Sequence, residues 1–271
     1  MQRLATEFYH FLEREKKMKV NTLMSYKQDI KAFFEHVNDF TTPVNLLPDY
    51  FEGYMQKLSE IGKAPSTISR NIASLRKFFK FMVSKKLICD DPTCGLKYVK
   101  NDPYKGAREE VLTVSEINRM ISAVTAVDFK GCRDRAIIET LYACGLKASE
   151  LLGISLKDLH LANGYITIVS DGKVRYAPLY QDAVAAINQY LKKRRSAFGK
   201  LDHNFLFVNK DGKPLSRQSL WIVLRTYGEK AGINKTITPQ LFRKSMAMHL
   251  MANGADVNDL QNILGHKYVA L

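Results

Sequence analysis

The chain has 271 residues, 46% hydrophobic and 10% aromatic, which suits one large domain or two ordinary ones and excludes a disordered chain. It carries 41 Lys and Arg against 27 Asp and Glu, a formal charge of +14, so the expected partner is a polyanion bound through phosphate neutralisation and counterion release. No segment is long and apolar enough to span a membrane, and the charged N-terminus lacks a signal-peptide core, so the expected location is the cytoplasm.

Four cysteines, Cys89, Cys94, Cys132 and Cys144, form no CxxC pair and stand at no metal spacing with histidine. They read as reduced thiols, and no metal is expected. The charge is unevenly placed. Residues 1–60 hold eight basic and nine acidic side chains, whereas residues 61–100 hold nine against two.

The first hundred residues read as four helices. The first covers Leu4 to Lys16, with Leu4, Phe8, Phe11 and Leu12 on one face. The second is expected to start after Asn21 as N-cap and carries Leu23, Tyr26, Ile30, Phe33, Phe34 and Val37 at helical steps. The third follows Pro48-Asp49 and ends at Gly62. The fourth opens near Pro65-Ser66 and runs to about Lys86, with Ile68, Ile72, Leu75, Phe78, Phe79 and Met82 as its apolar stripe. Its other face shows Arg70, Arg76, Lys77 and Lys80, which suits either a DNA backbone or a solvated surface.

Residues 90–108 lack periodicity and contain prolines, glycines and lysines, including Lys105, so they read as a basic linker able to lie along phosphates. This divides the chain into a helical domain at 1–89 and a second domain at 109–271. The second domain opens on a capping box, Thr113-Val-Ser-Glu116. It continues with a helix at Asp134–Ala143 and a hairpin, Tyr165–Val169 and Val174–Ala177, about Asp171-Gly172. Helices follow around Ala183–Arg195, Ser216–Ala231, Pro239–Ala252 and Val257–Leu264.

Three segments of this domain, in order, resemble the tyrosine recombinase (phage integrase) family, the group containing Xer-like recombinases. They are Leu141-Tyr-Ala-Cys-Gly-Leu-Lys-Ala-Ser-Glu-Leu-Leu152, then Lys173-Val-Arg-Tyr-Ala-Pro-Leu179, then Thr238-Pro-Gln-Leu-Phe-Arg243 leading to Leu264-Gly-His266. The run from Ser66 through Phe79 is similar to the family's N-terminal core-binding domain, so the resemblance covers essentially the whole chain. It implies a mainly α fold with a small β-sheet: a helical, SAM-like core-binding domain and a mixed α/β catalytic domain, closing as a C-shaped clamp on DNA. It also implies double-stranded DNA as partner, self-association on that DNA as dimer or tetramer, and no cofactor.

The family's chemistry explains the residue types. A tyrosine hydroxyl attacks a DNA phosphodiester and forms a 3′-phosphotyrosine. Arginines clamp the non-bridging oxygens, a hairpin lysine protonates the leaving oxygen, and histidines assist. By the resemblance, Arg243 stands at the second arginine and His266 at the Leu-Gly-His histidine. Lys147 stands at the first arginine and lacks its planar fork. Gln240 stands where a histidine precedes the second arginine, and Lys244 replaces another frequent histidine. The catalytic lysine falls on Ser170, with Lys173 close by as the other candidate.

The family's tyrosine falls beyond Leu271, and Tyr268 is too near His266 to replace it. The chain as it stands is therefore expected to form no covalent adduct. Arg243→Ala is expected to weaken DNA binding and leave the fold intact. Two functions remain: a site-specific recombinase, or an inactive relative that binds DNA as an accessory or regulatory subunit. A basic RNA-binding protein would need aromatic RNA-binding motifs, which the sequence lacks.

Overall fold

The computed structural model describes residues 2–14, 18, 20–37, 48–96, 110–170 and 172–265, which fall into two compact units, Met1–Ala107 and Arg108–Leu271. Among the described residues no helix is long and apolar enough to cross a membrane.

The first unit holds α1 (Gln2–Arg14), α2 (Val20–His36), α3 (Pro48–Glu60) and α4 (Pro65–Ser84). The stripe read on α4 is its buried face, except that Ile68 is only partly covered. Phe8, Phe33, Phe51, Phe78 and Phe79 interlock there, with Phe33 and Phe51 stacked at 4.8 Å and Phe78 and Phe79 edge to face at 5.3 Å. Such pairs add to the area they bury. Gly62 closes α3 at φ +73, as its position after the apolar run implied.

Two readings are corrected here. Asn21 is not an N-cap: α2 already includes Val20, and the Asn21 carbonyl accepts from the Ser25 hydroxyl inside the helix. An N-cap needs non-helical backbone, which a residue inside the helix does not have. Residues 90–96, read as the start of a linker, are packed on this unit. Ile88, Thr93 and Leu96 are buried, the Asp91 carboxylate accepts from Thr93 N at 2.9 Å, and Arg76 donates to the Leu96 carbonyl. Short-range side-chain bonds gave this stretch order that no periodicity could show. Residues 97–108, including Lys105, lie outside the described residues.

The second unit is built on α6 (Phe129–Cys144). Its Asp128 cap accepts from Gly131 N at 2.7 Å, so the helix begins a full turn before the Asp134 start read from sequence. α6 pairs with α8 (Gln181–Phe198). Phe129 meets Phe198 at 5.0 Å, and the Cys144 thiol donates to Pro178 O just ahead of α8, so the two helices run antiparallel. Around them lie α5 (Val114–Ser122), α7 (Ala148–Gly153), α9 (Arg217–Lys230), α10 (Pro239–Ala252) and α11 (Val257–Leu264).

The capping box at Thr113 and Glu116 forms as read, with both reciprocal bonds present. The sheet is an antiparallel β1-β2-β3 meander of Leu159–His160, Tyr165–Ser170 and Lys173–Pro178. The register pairs Ser170 with Lys173 across the turn. β1 escaped the sequence reading because two residues show no alternation. Ile166, Ile168, Arg175 and Ala177 form the buried face of the hairpin, which puts a charged side chain on an otherwise apolar surface.

Candidate active site

α6 ends on Gly145, whose left-handed backbone (φ 54) turns the chain sharply toward α7. Only three residues separate the two helices, and Lys147 is the α7 N-cap. Its backbone N donates to Glu150 Oε2 at 2.9 Å, so the carboxylate satisfies an N–H at the helix start. Lys147 itself is partly buried and Glu150 is buried.

The same carboxylate oxygen accepts from Arg175 Nη2 at 2.7 Å and lies 4.0 Å from Arg243 Nη1. Arg243 comes from the first turns of α10, where Pro239 follows the Thr238 cap, which accepts from Leu241 N at 3.0 Å. Its guanidinium donates from Nη1 to Gly145 O and from Nη2 to Leu264 O, each at 2.8 Å. α11 arrives from its own cap at Asp256 and ends on left-handed Gly265. Thus α7, β3 and α10 converge on the one carboxylate of Glu150, which accepts from the Lys147 backbone N and from the Arg175 guanidinium and lies 4.0 Å from that of Arg243. The excess of positive charge suits an anion with several oxygens, such as a phosphodiester.

Of the residues read as catalytic, Lys147 and Arg243 are brought together through Gly145 and Glu150. Gln240 is exposed on the first turn of α10, ahead of Arg243. Lys173 is exposed at the start of β3, on the strand face shared with Arg175. Its pairing opposite Ser170 sets a cation across the turn from the position where the family's lysine falls. His266 and Tyr268 lie outside the described residues. Cys144, beneath the site, is raised to about 12 by burial, so it is an unreactive thiol at neutral pH.

The residues read as DNA-binding differ among themselves. Lys244 is partly buried beside Arg243. Arg70 donates to Asp29 Oδ2 at 2.5 Å, and Arg76 is bonded to Leu96, so both serve the packing of their own unit. Lys77 is exposed, its ammonium 5.8 Å from the Tyr26 ring, and Lys80 is exposed.

Sequence reasoning missed Glu150 and Arg175. Glu150 carried a signal, an acidic residue three positions after a helix start. Arg175 carried another, a charge on the apolar side of an alternating strand. At 6% exposure Arg243 satisfies two carbonyls, so a stability cost is expected in Arg243→Ala beside the loss of DNA affinity.

Residues 110–271 match the phage integrase family and residues 5–86 match the phage integrase N-terminal SAM-like domain. The chain is 34% identical to the tyrosine recombinase XerD of Halalkalibacterium halodurans, over 96% of this chain and 88% of that protein. It is also 34% identical to XerD of Listeria innocua, over 98% and 91%. Among solved structures, the Tn1549 transposon integrase in complex with circular intermediate DNA matches at TM-score 0.77 and 20% identity, over 98% of this chain and 92% of that one. A lambda integrase dimer bound to a COC′ core site matches at TM-score 0.77 and 17% identity, over 99% and 92%. At these identities the structures show the shared fold. The described helical unit, the hairpin-bearing second unit and the relatives agree: the chain belongs to the tyrosine recombinase, or phage integrase, family.

Proposed function

We propose that this protein binds duplex DNA and acts in site-specific recombination, with the scissile phosphodiester seated against Arg243 and Lys147. The observation that carries the reading is the convergence of two guanidinium groups, Arg175 and Arg243, on the single carboxylate of Glu150, whose other bond is to the Lys147 backbone N. One carboxylate balances one of the two guanidinium charges, and the remaining charge favours an anion docked beside them. A transition state with charge on its non-bridging oxygens is the species such an array stabilises most.

Lys147 acts as a point charge, which gives attraction without a bidentate fork. Gln240 supplies a hydrogen bond from the first turn of α10 and moves no proton near neutral pH. Lys173, exposed at the hairpin opposite Ser170, is the cation this reading assigns to the leaving oxygen. In the helical unit, Lys77 and Lys80 are the exposed members of the basic face, and they fit positioning contacts with the backbone phosphates. The structural neighbours are named as integrases bound to DNA, as a dimer or as a tetramer on a Holliday junction, which supports assembly of this protein on DNA. The accessory, non-catalytic alternative draws no support from relatives that are named recombinases.

The test is duplex binding followed by fluorescence anisotropy over a range of salt concentrations. Affinity is expected to fall by roughly 0.9 log units per log unit of salt for each phosphate neutralised. A flat salt response, or no binding at low salt, overturns the reading.

A further inference from the structure

Arg175 has no role of its own in the reading above beyond its charge, yet it is among the most constrained side chains at Glu150. It projects from β3 with 9% side-chain exposure. Nη2 donates to Glu150 Oε2 at 2.7 Å, Nη1 donates to Ile263 O at 2.5 Å, and Nε is buried with no acceptor. A buried guanidinium with an unpaired N–H persists only where its surroundings hold it firmly.

Part of that hold comes from Gly265. Its backbone is left-handed (φ +77), and a Cβ there would lie 2.6 Å from Arg175 Cδ and 2.8 Å from Nε. The turn that ends α11 therefore rests directly on the Arg175 side chain. The terminal carbonyls of a helix lack intrahelical partners and carry its negative end. Two guanidinium groups meet that need in register, Arg175 on Ile263 O and Arg243 on Leu264 O. Both also approach Glu150 Oε2. Moving Arg175 would release the carboxylate and one of the two bonds that fix the end of α11, and Arg243 leans on both.

We propose that Arg175 is a positioning residue for Arg243, setting the orientation in which that guanidinium meets a phosphate by holding Glu150 and the carboxyl end of α11. The proposal rests on the phosphodiester reading above. Its first consequence, coupling of the two arginines, holds with or without a ligand. In a recombinase whose first arginine is Lys147, the orientation of the remaining fork bears more of the clamping.

The experiment is NMR on the 15N-labelled chain, with the Arg243 Nε–H signal assigned by its loss in Arg243→Lys. Arg175→Lys, Arg175→Gln and Glu150→Gln are then compared, before and during titration with inorganic phosphate. The Arg243 signal is expected to shift or broaden in all three, while amide signals of α5, α8 and α9 stay in place. Phosphate affinity read at Arg243 is expected to fall roughly tenfold in Arg175→Gln, the equivalent of one charge-assisted hydrogen bond. Arg175→Lys should lose less. An unmoved Arg243 signal or an unchanged phosphate affinity in a folded Arg175→Gln overturns the proposal. If that variant does not fold, Arg175→Lys decides by the same criteria. Absence of phosphate binding to the unsubstituted chain counts against the phosphodiester reading alone, because the ligand-free signal still reports the coupling.

Discussion

Arg243 Nη1 donates to the carbonyl oxygen of Gly145 at 2.8 Å, joining residues 98 positions apart. The acceptor is held in place by a backbone that few side chains allow, φ 54, and by close packing. A Cβ at Gly145 would come within 2.5 Å of Met246 Cε and 2.8 Å of Leu264 Cδ2. Gly145→Ala is therefore expected to cost roughly 1–3 kcal/mol through backbone strain and overpacking together. Urea unfolding checks this, and an unchanged midpoint would show that the junction relaxes freely.

Arg243→Ala is expected to lose stability as well as DNA affinity. Truncation leaves Gly145 O and Leu264 O buried without their donor, a loss of roughly 2–4 kcal/mol from two buried acceptors. Arg243→Lys can restore one bond and should fall between. Thermal unfolding of the two variants beside the parent tests the order. Equal stability of all three would mean that water replaces the guanidinium.

In the helical unit, Arg70 and the neighbouring lysines should separate cleanly. The Asp29 carboxylate is 4% exposed and accepts from Arg70 and from the Ser74 hydroxyl. Removing Arg70 leaves that carboxylate with one partner, so Arg70→Ala is expected to cost roughly 1–3 kcal/mol. Lys77→Ala and Lys80→Ala should change stability by less than about 0.5 kcal/mol. Each should instead lower the slope of log affinity against log salt by roughly 0.9. A normal slope in both lysine variants would remove this face from the DNA contact.

What could be read from the sequence was local. The Thr113–Glu116 box, the pairing of Tyr165–Val169 with Val174–Ala177 and the α4 stripe each depend on residues close together in the chain, and each formed as expected. α6 began earlier than expected because it is buried on nearly every side, so no polar face marked its phase, and the Asp128 cap lay outside the recognisable period. The site divides the same way. Family motifs located Lys147 and Arg243. Arg175 became meaningful only when the fold placed β3 beside the end of α11, since a single inward charge on a strand does not announce its partner.

The Tyr142 hydroxyl lies 2.9 Å from His249 Nδ1, and burial holds the His249 imidazole below its ordinary value of 6.5. The folded state thus prefers the neutral ring. That contribution to stability is present above the unfolded value and is lost as pH falls through the lower folded value. The melting temperature should drop as the pH falls below the ordinary imidazole value of 6.5, and His249→Gln should make the drop smaller. An identical pH profile in the variant would sink this assignment.

Lys147→Arg is the substitution expected to improve the site. Lys147 leads into α7 with its backbone N fixed by Glu150, so the new side chain would start from a defined position. An arginine there offers two parallel N–H donors to one phosphate where lysine offers a point charge. Duplex affinity is expected to rise by roughly threefold to tenfold, the range of a modest gain in charge-assisted hydrogen bonding. The salt slope should stay unchanged, because the number of cations is the same. Anisotropy titrations of the two proteins on one duplex give both quantities. Higher affinity with a steeper slope would instead indicate a new phosphate contact elsewhere. Affinity unchanged in Lys147→Arg, with Arg243→Ala still impaired, would show that Lys147 stands apart from the phosphate.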